Sequence, residues 1–261
     1  MNVFAFDLET VPDVAAGRRL HRLTDALSDA SVADAMFAIR RNKVGHDFLP
    51  LHLHRIVAIS VVLRSADQFK VWSLGEEHSS EAELITRFFD GLERFSADLV
   101  SWNGGGFDLP VLHYRALLHG IAAPRYWDRG DDDQSMRWNN YLSRFHQRHT
   151  DLMDVLAAYQ PRASAPLDQL ASMCGFPGKL GMSGAKVWDT FVAGGIADIR
   201  AYCETDVMNT FLLWLRYQMI CGRLVKSAYD QEVATVRAAL QDDGAVHWQA
   251  FLAAWEQQIS V

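Results

Sequence analysis

An α/β fold is predicted for this chain of 261 residues, and three observations predict it. Four short apolar runs, residues 3–6, 56–63, 69–72 and 98–102, read as strands because they are brief and rich in β-branched or aromatic side chains. Between them, apolar residues recur every three or four positions, as one face of a helix requires. A helical pattern then runs from about residue 196 to 220. With 49% hydrophobic and 22% charged residues, such a chain can bury a substantial core as one domain or as one domain with an elaboration.

Charge and segment composition exclude some classes. A net charge of -7 gives no global attraction to nucleic acid or to an anionic membrane, so any grip on phosphates must be local. The N-terminus lacks a basic-then-apolar leader, and no run approaches the ~18 apolar residues of a membrane span. Cys174, Cys203 and Cys221 stand in no metal-ligand spacing and read as reduced thiols, which predicts a cytoplasmic protein with no membrane partner.

The first strand, Val3-Phe4-Ala5-Phe6, carries Asp7 and Glu9 at its end. Residues two apart on a strand point to the same side, so these carboxylates converge and repel unless a cation neutralises them. Hard oxygen ligands suit magnesium or manganese. A solvated strand end is the plainer reading of Asp-x-Glu alone. Thr10-Val11-Pro12-Asp13 is expected to break the strand, and residues 14–47 to form a helical, polar insertion of two short helices. Residues 56–63 are apolar throughout, as a strand buried on both faces is, and with 69–72 they complete a meander.

Ser80 and Glu83 form a capping-box signature for a helix whose Phe-rich stripe, Leu84 to Phe95, faces a sheet. After the strand at 98–102 comes Asn103-Gly104-Gly105-Gly106-Phe107-Asp108, in which glycines allow close approach or positive φ. Pro110 places Asp108 at a helix N-terminus, where a plain N-cap is the usual role. Residues 125–149 interleave aromatics with arginines, which suits either a packed flap or a surface for single-stranded nucleic acid. Asp151 reads as a helix cap or as a supporting acid. In the long helix Tyr202 and Asp206 lie four apart and share a face, so both can address one substrate; taken alone, Tyr202 reads as a half-buried amphipathic residue and Asp206 as a helix-surface charge. Residues 225–261 read as helices packed on the outside of the same domain.

Together, Phe6-Asp7-Leu8-Glu9-Thr10, Asn103-x-x-x-Phe107-Asp108 and Tyr202-x-x-x-Asp206 resemble the three exonuclease motifs of the DEDD 3′–5′ exonucleases. The likeness is nearest to the proofreading domain of B-family DNA polymerases and to bacterial stand-alone proteins related to it. Ala201 stands where the histidine subclass has its histidine, so Tyr202 marks the tyrosine type.

The resemblance implies a ribonuclease-H-like exonuclease fold, a mixed central sheet flanked by helices, over residues 1–224, with the helical insertion at about 14–47 and residues 225–261 as a C-terminal extension. It implies catalytic roles for Asp7, Glu9, Asp108, Tyr202 and Asp206. The four acids would hold two Mg2+ or Mn2+ ions, and Tyr202 would orient the attacking water. It places Leu8, Thr10, Asn103, Phe107, Lys179 and Tyr202 against the substrate. The expected partner is the 3′ end of a single-stranded nucleic acid, with DNA ahead of RNA, and the expected product a nucleoside 5′-monophosphate. A 3′–5′ exoribonuclease and a non-catalytic nucleic-acid-binding module are the alternatives.

Overall fold

The structure is a computed structural model and describes residues 2–259. Five strands, β1 (Val3–Pro12), β2 (His54–Arg64), β3 (Phe69–Ser73), β4 (Asp98–Ser101) and β5 (His149–Asp151), form one sheet in the order β3-β2-β1-β4-β5. The first three make an antiparallel meander; β4 and β5 add in parallel beside β1.

The helices are α1 (Val14–His21), α2 (Asp29–Val44), α3 (Glu81–Phe95), α4 (Asp108–His119), α5 (Pro124–Trp127), α6 (Leu152–Leu156), α7 (Leu167–Met173), α8 (Val187–Val192), α9 (Ile196–Ile220), α10 (Lys226–Asp243) and α11 (Val246–Ile259). Strand alternation divides them between two faces. Phe4, Phe6 and Leu8 of β1 point to a core closed by α3 and α4. Val3 and Ala5 point to a second core built on α9. Helices α10 and α11 pack against α9 there, with Trp248, Phe251 and Trp255 all buried. Residues 260 and 261 of the expected extension lie outside the described residues.

β1 does not break at Thr10. It continues to Pro12, with a register shift at Glu9/Thr10 where Val57 of β2 is passed over: Glu9 pairs with Ala58 and Thr10 with Ile56. The bulge turns Ile56 to the face of Ile59, while Val57 and Ala58 both pack toward α8 and α9. Val11 is buried there against Val187 and Ile199, and Pro12 ends the strand where its missing N–H costs little. Asp7 and Glu9 therefore lie mid-strand rather than at a strand end.

The capping box of α3 is half-formed. Ser80 accepts from the Glu83 N–H (3.2 Å), but the Glu83 carboxylate turns to Arg87 (2.8 Å). The 125–149 segment is a packed flap: Tyr126, Met136 and Tyr141 join the α3/α4 core, and Arg125 and Arg148 pair with Asp133 and Asp98. Trp138 and Phe145 stay exposed. No helix among the described residues is long and apolar enough to cross a membrane. A mixed five-stranded sheet in this order, covered by helices on both faces, is the ribonuclease-H-like fold.

Candidate active site

On β1 the alternation that sends Val3 and Ala5 toward α9 sends Asp7 and Glu9 the same way. Facing them, α9 presents Tyr202 and, one turn on, Asp206. One carboxylate oxygen from each of Asp7, Glu9 and Asp206 lies within 4.8 Å of the others. Asp206 is only 6% exposed, which removes the reading of it as a surface charge.

Asp108 arrives from the other side. It is the first residue of α4, with Phe107 in the capping position, and its Oδ1 accepts from the Leu8 N–H (3.1 Å). Asp108 stands outside the three-carboxylate group yet near enough to act on both Asp7 and Glu9. The loop before it turns on Asn103, whose φ of 63° is left-handed; none of the three glycines is. Gly104 serves close approach instead, since a Cβ there would lie 2.2 Å from Ser101 Oγ. Asp151 clamps the loop, accepting from the N–H groups of Asn103 (2.9 Å) and Gly105 (2.8 Å), and also caps α6 through Asp154 N–H (3.4 Å). Both readings of Asp151 hold at once.

Burial and mutual repulsion dominate the electrostatics. Asp7 is pushed well above the usual carboxylate range by burial, then by Asp108, Glu9 and Asp206. Glu9 is raised by burial, then by Asp206 and Asp108, with Lys179 pulling the other way. Burial lifts Asp108 to about 7 and Asp206 to about 6. The Tyr202 phenol is raised by burial and by Asp206 and Glu9, so it stays protonated. Asp206 Oδ1 is buried with no hydrogen-bond partner. Three converging carboxylates and an orphaned oxygen fit a hard divalent cation, which would satisfy the oxygen and relieve the repulsion.

Sequence reasoning missed Cys203. Its thiol is buried and held protonated, and its Sγ lies 3.4 Å from the Asp7 carbonyl oxygen and 3.6 Å from Asp7 Oδ2, so it donates to the Asp7 residue. No signal in the sequence marks this, because a cysteine between two motif residues looks like any core residue.

A cleft of ≈ 430 Å³ opens over Asp7 and Asp206, lined also by Trp102, Asn103, Met153, Asp168 and Lys179. Lys179 Nζ stands 5.8 Å from the centre of the Tyr202 ring. Thr10 and Phe107 lie on the opposite face of β1, where both contact His54. Leu8 is buried in the α3/α4 core, so what it offers the site is its backbone N–H to Asp108.

The family described as "Predicted 3'-5' exonuclease related to the exonuclease domain of PolB" matches residues 46–255. That span contains Asp108, Tyr202 and Asp206; Asp7 and Glu9 lie before it and join them through the sheet. No curated protein matches the chain. With well over half of its length matched, the chain belongs to this family of predicted 3′–5′ exonucleases related to the exonuclease domain of PolB.

Proposed function

We propose that the protein hydrolyses the terminal phosphodiester of single-stranded DNA from the 3′ end and releases nucleoside 5′-monophosphates. The observation that carries the reading is the meeting of half-buried Asp7 with buried Glu9 and Asp206 within 4.8 Å, in a chain of this family. Asp7, Glu9 and Asp206 would hold one magnesium or manganese ion, and Asp7 with Asp108 a second. When bound, the ions supply Lewis-acid chemistry, acidifying water and neutralising charge on the phosphate and the leaving oxygen.

The chain's own groups do the rest. Tyr202, kept protonated, cannot serve as a base; its hydroxyl, hydrogen-bonded to Asp206, would orient the attacking water beside that acid. Lys179, on the cleft wall beside Asp206, meets the scissile phosphate. Asn103 lines the same cleft and contacts the terminal nucleotide. Thr10 and Phe107 bound the terminal nucleotide from the far side of β1. A cytoplasmic location fits three cysteines that are all free thiols.

The test is degradation of 5′-labelled single-stranded DNA and, in parallel, RNA, with and without Mg2+ or Mn2+, by the wild type, Asp7→Ala and Asp206→Ala. A metal-dependent ladder shortening from the 3′ end, lost in both variants, is expected on DNA. Degradation confined to RNA moves the assignment to an exoribonuclease. Binding of either strand without degradation leaves a non-catalytic module.

A further inference from the structure

The geometry points to Phe48 as a substrate-binding residue that stacks on the base of the 3′-terminal nucleotide, on a platform it shares with His54 and Phe107. The inference rests on the exonuclease reading and adds to it a contact from outside the three sequence motifs.

Phe48 is 55% exposed, yet the backbone that carries it is fixed. On one side Asp47 takes two hydrogen bonds from Arg41, both 2.6 Å. The Phe48 carbonyl accepts from Arg40 Nε (2.8 Å). On the other side Leu49 is buried, and its carbonyl faces His54 Nε2 at 3.2 Å. A mobile loop can leave an apolar ring in water by default. Here four ties fix the backbone beneath the ring, which stays exposed although burying a phenyl is favourable.

The ring is also aimed. Its centroid lies 5.2 Å from His54 and 5.9 Å from Phe107, and Phe107 stands edge-on to His54 at 5.2 Å and 89°. A carbonyl only accepts, so His54 Nε2 carries the proton toward Leu49, and Nδ1 accepts from the Thr10 hydroxyl (2.9 Å). His54 is thus a pin that ties Phe48's segment to Thr10 and Phe107, the residues next to Glu9 and Asp108.

Topology makes one ligand able to reach both groups. β1 pairs with β4 only through Val3, Ala5 and the residue between them; beyond Ala5 that edge has no strand beside it, Asp108 takes the Leu8 N–H there, and the edge past Leu8 is left without a strand. A nucleotide straddling the edge can place its phosphate over the acids on the α9 face and its base on the aromatic rings of the other. Stacking on these rings needs a flat π-face and no particular base, which matches a terminal nucleobase of any identity.

The experiment compares wild type, Phe48→Ala and Phe48→Tyr on two oligonucleotides that differ only at the 3′ end, one with a normal terminal nucleotide and one with an abasic sugar. It uses DNA or RNA, whichever the wild type degrades. On the normal end, Phe48→Ala is expected to raise KM about ten-fold, the loss of a typical base–aromatic stack, with kcat within about two-fold. On the abasic end Phe48→Ala and wild type should be indistinguishable, and Phe48→Tyr should match wild type on both. Equal losses on the two ends, or no loss on either, would overturn the stacking role while leaving the exonuclease intact. A wild type that degrades neither DNA nor RNA would instead sink the exonuclease reading, and the platform with it.

Discussion

Asn209 and Gly178 exchange two hydrogen bonds: the Gly178 N–H donates to Asn209 Oδ1 (3.2 Å), and Asn209 Nδ2 donates to the Gly178 carbonyl (2.9 Å). Asn209 is wholly buried on α9, three residues after Asp206, and its amide also reaches the Thr205 carbonyl (3.0 Å). The loop it grips runs at once into Lys179. One amide thus sets the distance between a cleft lysine and the helix that carries the last acid.

Asn209→Leu keeps the volume and strands both Gly178 polar groups, so it should cost about 1–3 kcal/mol in urea unfolding. Because Lys179 loses its mooring, KM for the oligonucleotide should rise about ten-fold while Asp206 stays in place. A stability loss with unchanged KM would show that the loop does not touch substrate.

Asp151→Asn should weaken the site from behind. Both carboxylate oxygens of Asp151 are committed to the N–H groups of Asn103 and Gly105, and an amide presents a donor to one of them. A cost of about 1–3 kcal/mol is expected. The kcat should fall by about ten-fold or more, as the turn leading to Asp108 loosens. Wild-type kcat at full folding would place the control of Asp108 elsewhere.

The acid cluster predicts a stability profile that a divalent cation reverses. Asp108 and Asp206 have folded values of about 7 and about 6 against 3.8, and Asp7 and Glu9 are also raised. Between about pH 4 and 7 these acids therefore bind more protons in the folded protein than in the unfolded chain, and the cluster's contribution to metal-free stability falls as pH rises. Mn2+ binds the ionised cluster, so its stabilisation should grow over the same window and reach about 2.7 kcal/mol at a concentration of 100 times Kd. Thermal melts at pH 5 and pH 8, with and without Mn2+, check this. Asp206→Asn should shrink both the pH slope and the metal effect; an Mn2+ shift equal at the two pH values would count against a buried carboxylate site.

What the sequence made legible was local. The two-residue spacing of Asp7 and Glu9, the four-residue spacing of Tyr202 and Asp206, and the bounds of α9 follow from periods that short stretches carry. What it hid was contact at a distance. Thr10 to Pro12 read as a break because proline usually ends strands, and only the passed-over Val57 shows how β2 follows β1 to Pro12. Asp206, taken without the other two motifs, read as a surface charge because a helix buried on nearly every side shows no clean polar face. Cys203 and Phe48 carried no signal, since the meaning of each lies in partners such as Asp7 and Phe107 far along the chain.

Arg115 shows where the far end of β1 is anchored. Its guanidinium is only 4% exposed and binds Asp13, the N-cap of α1, together with Glu81, the first residue of α3. Glu81 also accepts from the Ile56 N–H (2.6 Å), just past the bulge, and faces His119 at 2.8 Å. Arg115→Met keeps the aliphatic bulk but leaves two carboxylates buried without their cation, so about 3–5 kcal/mol should be lost in urea unfolding. Adding Glu81→Gln to Arg115→Met should recover part of that loss, because it removes one of the stranded charges. Asp7 and Glu9 precede the bulge and Asp13 follows it, so the folded fraction of Arg115→Met should retain nearly wild-type kcat below its unfolding transition. A kcat that collapses while the protein is still folded would mean that the bulge transmits the anchor's position to the acids.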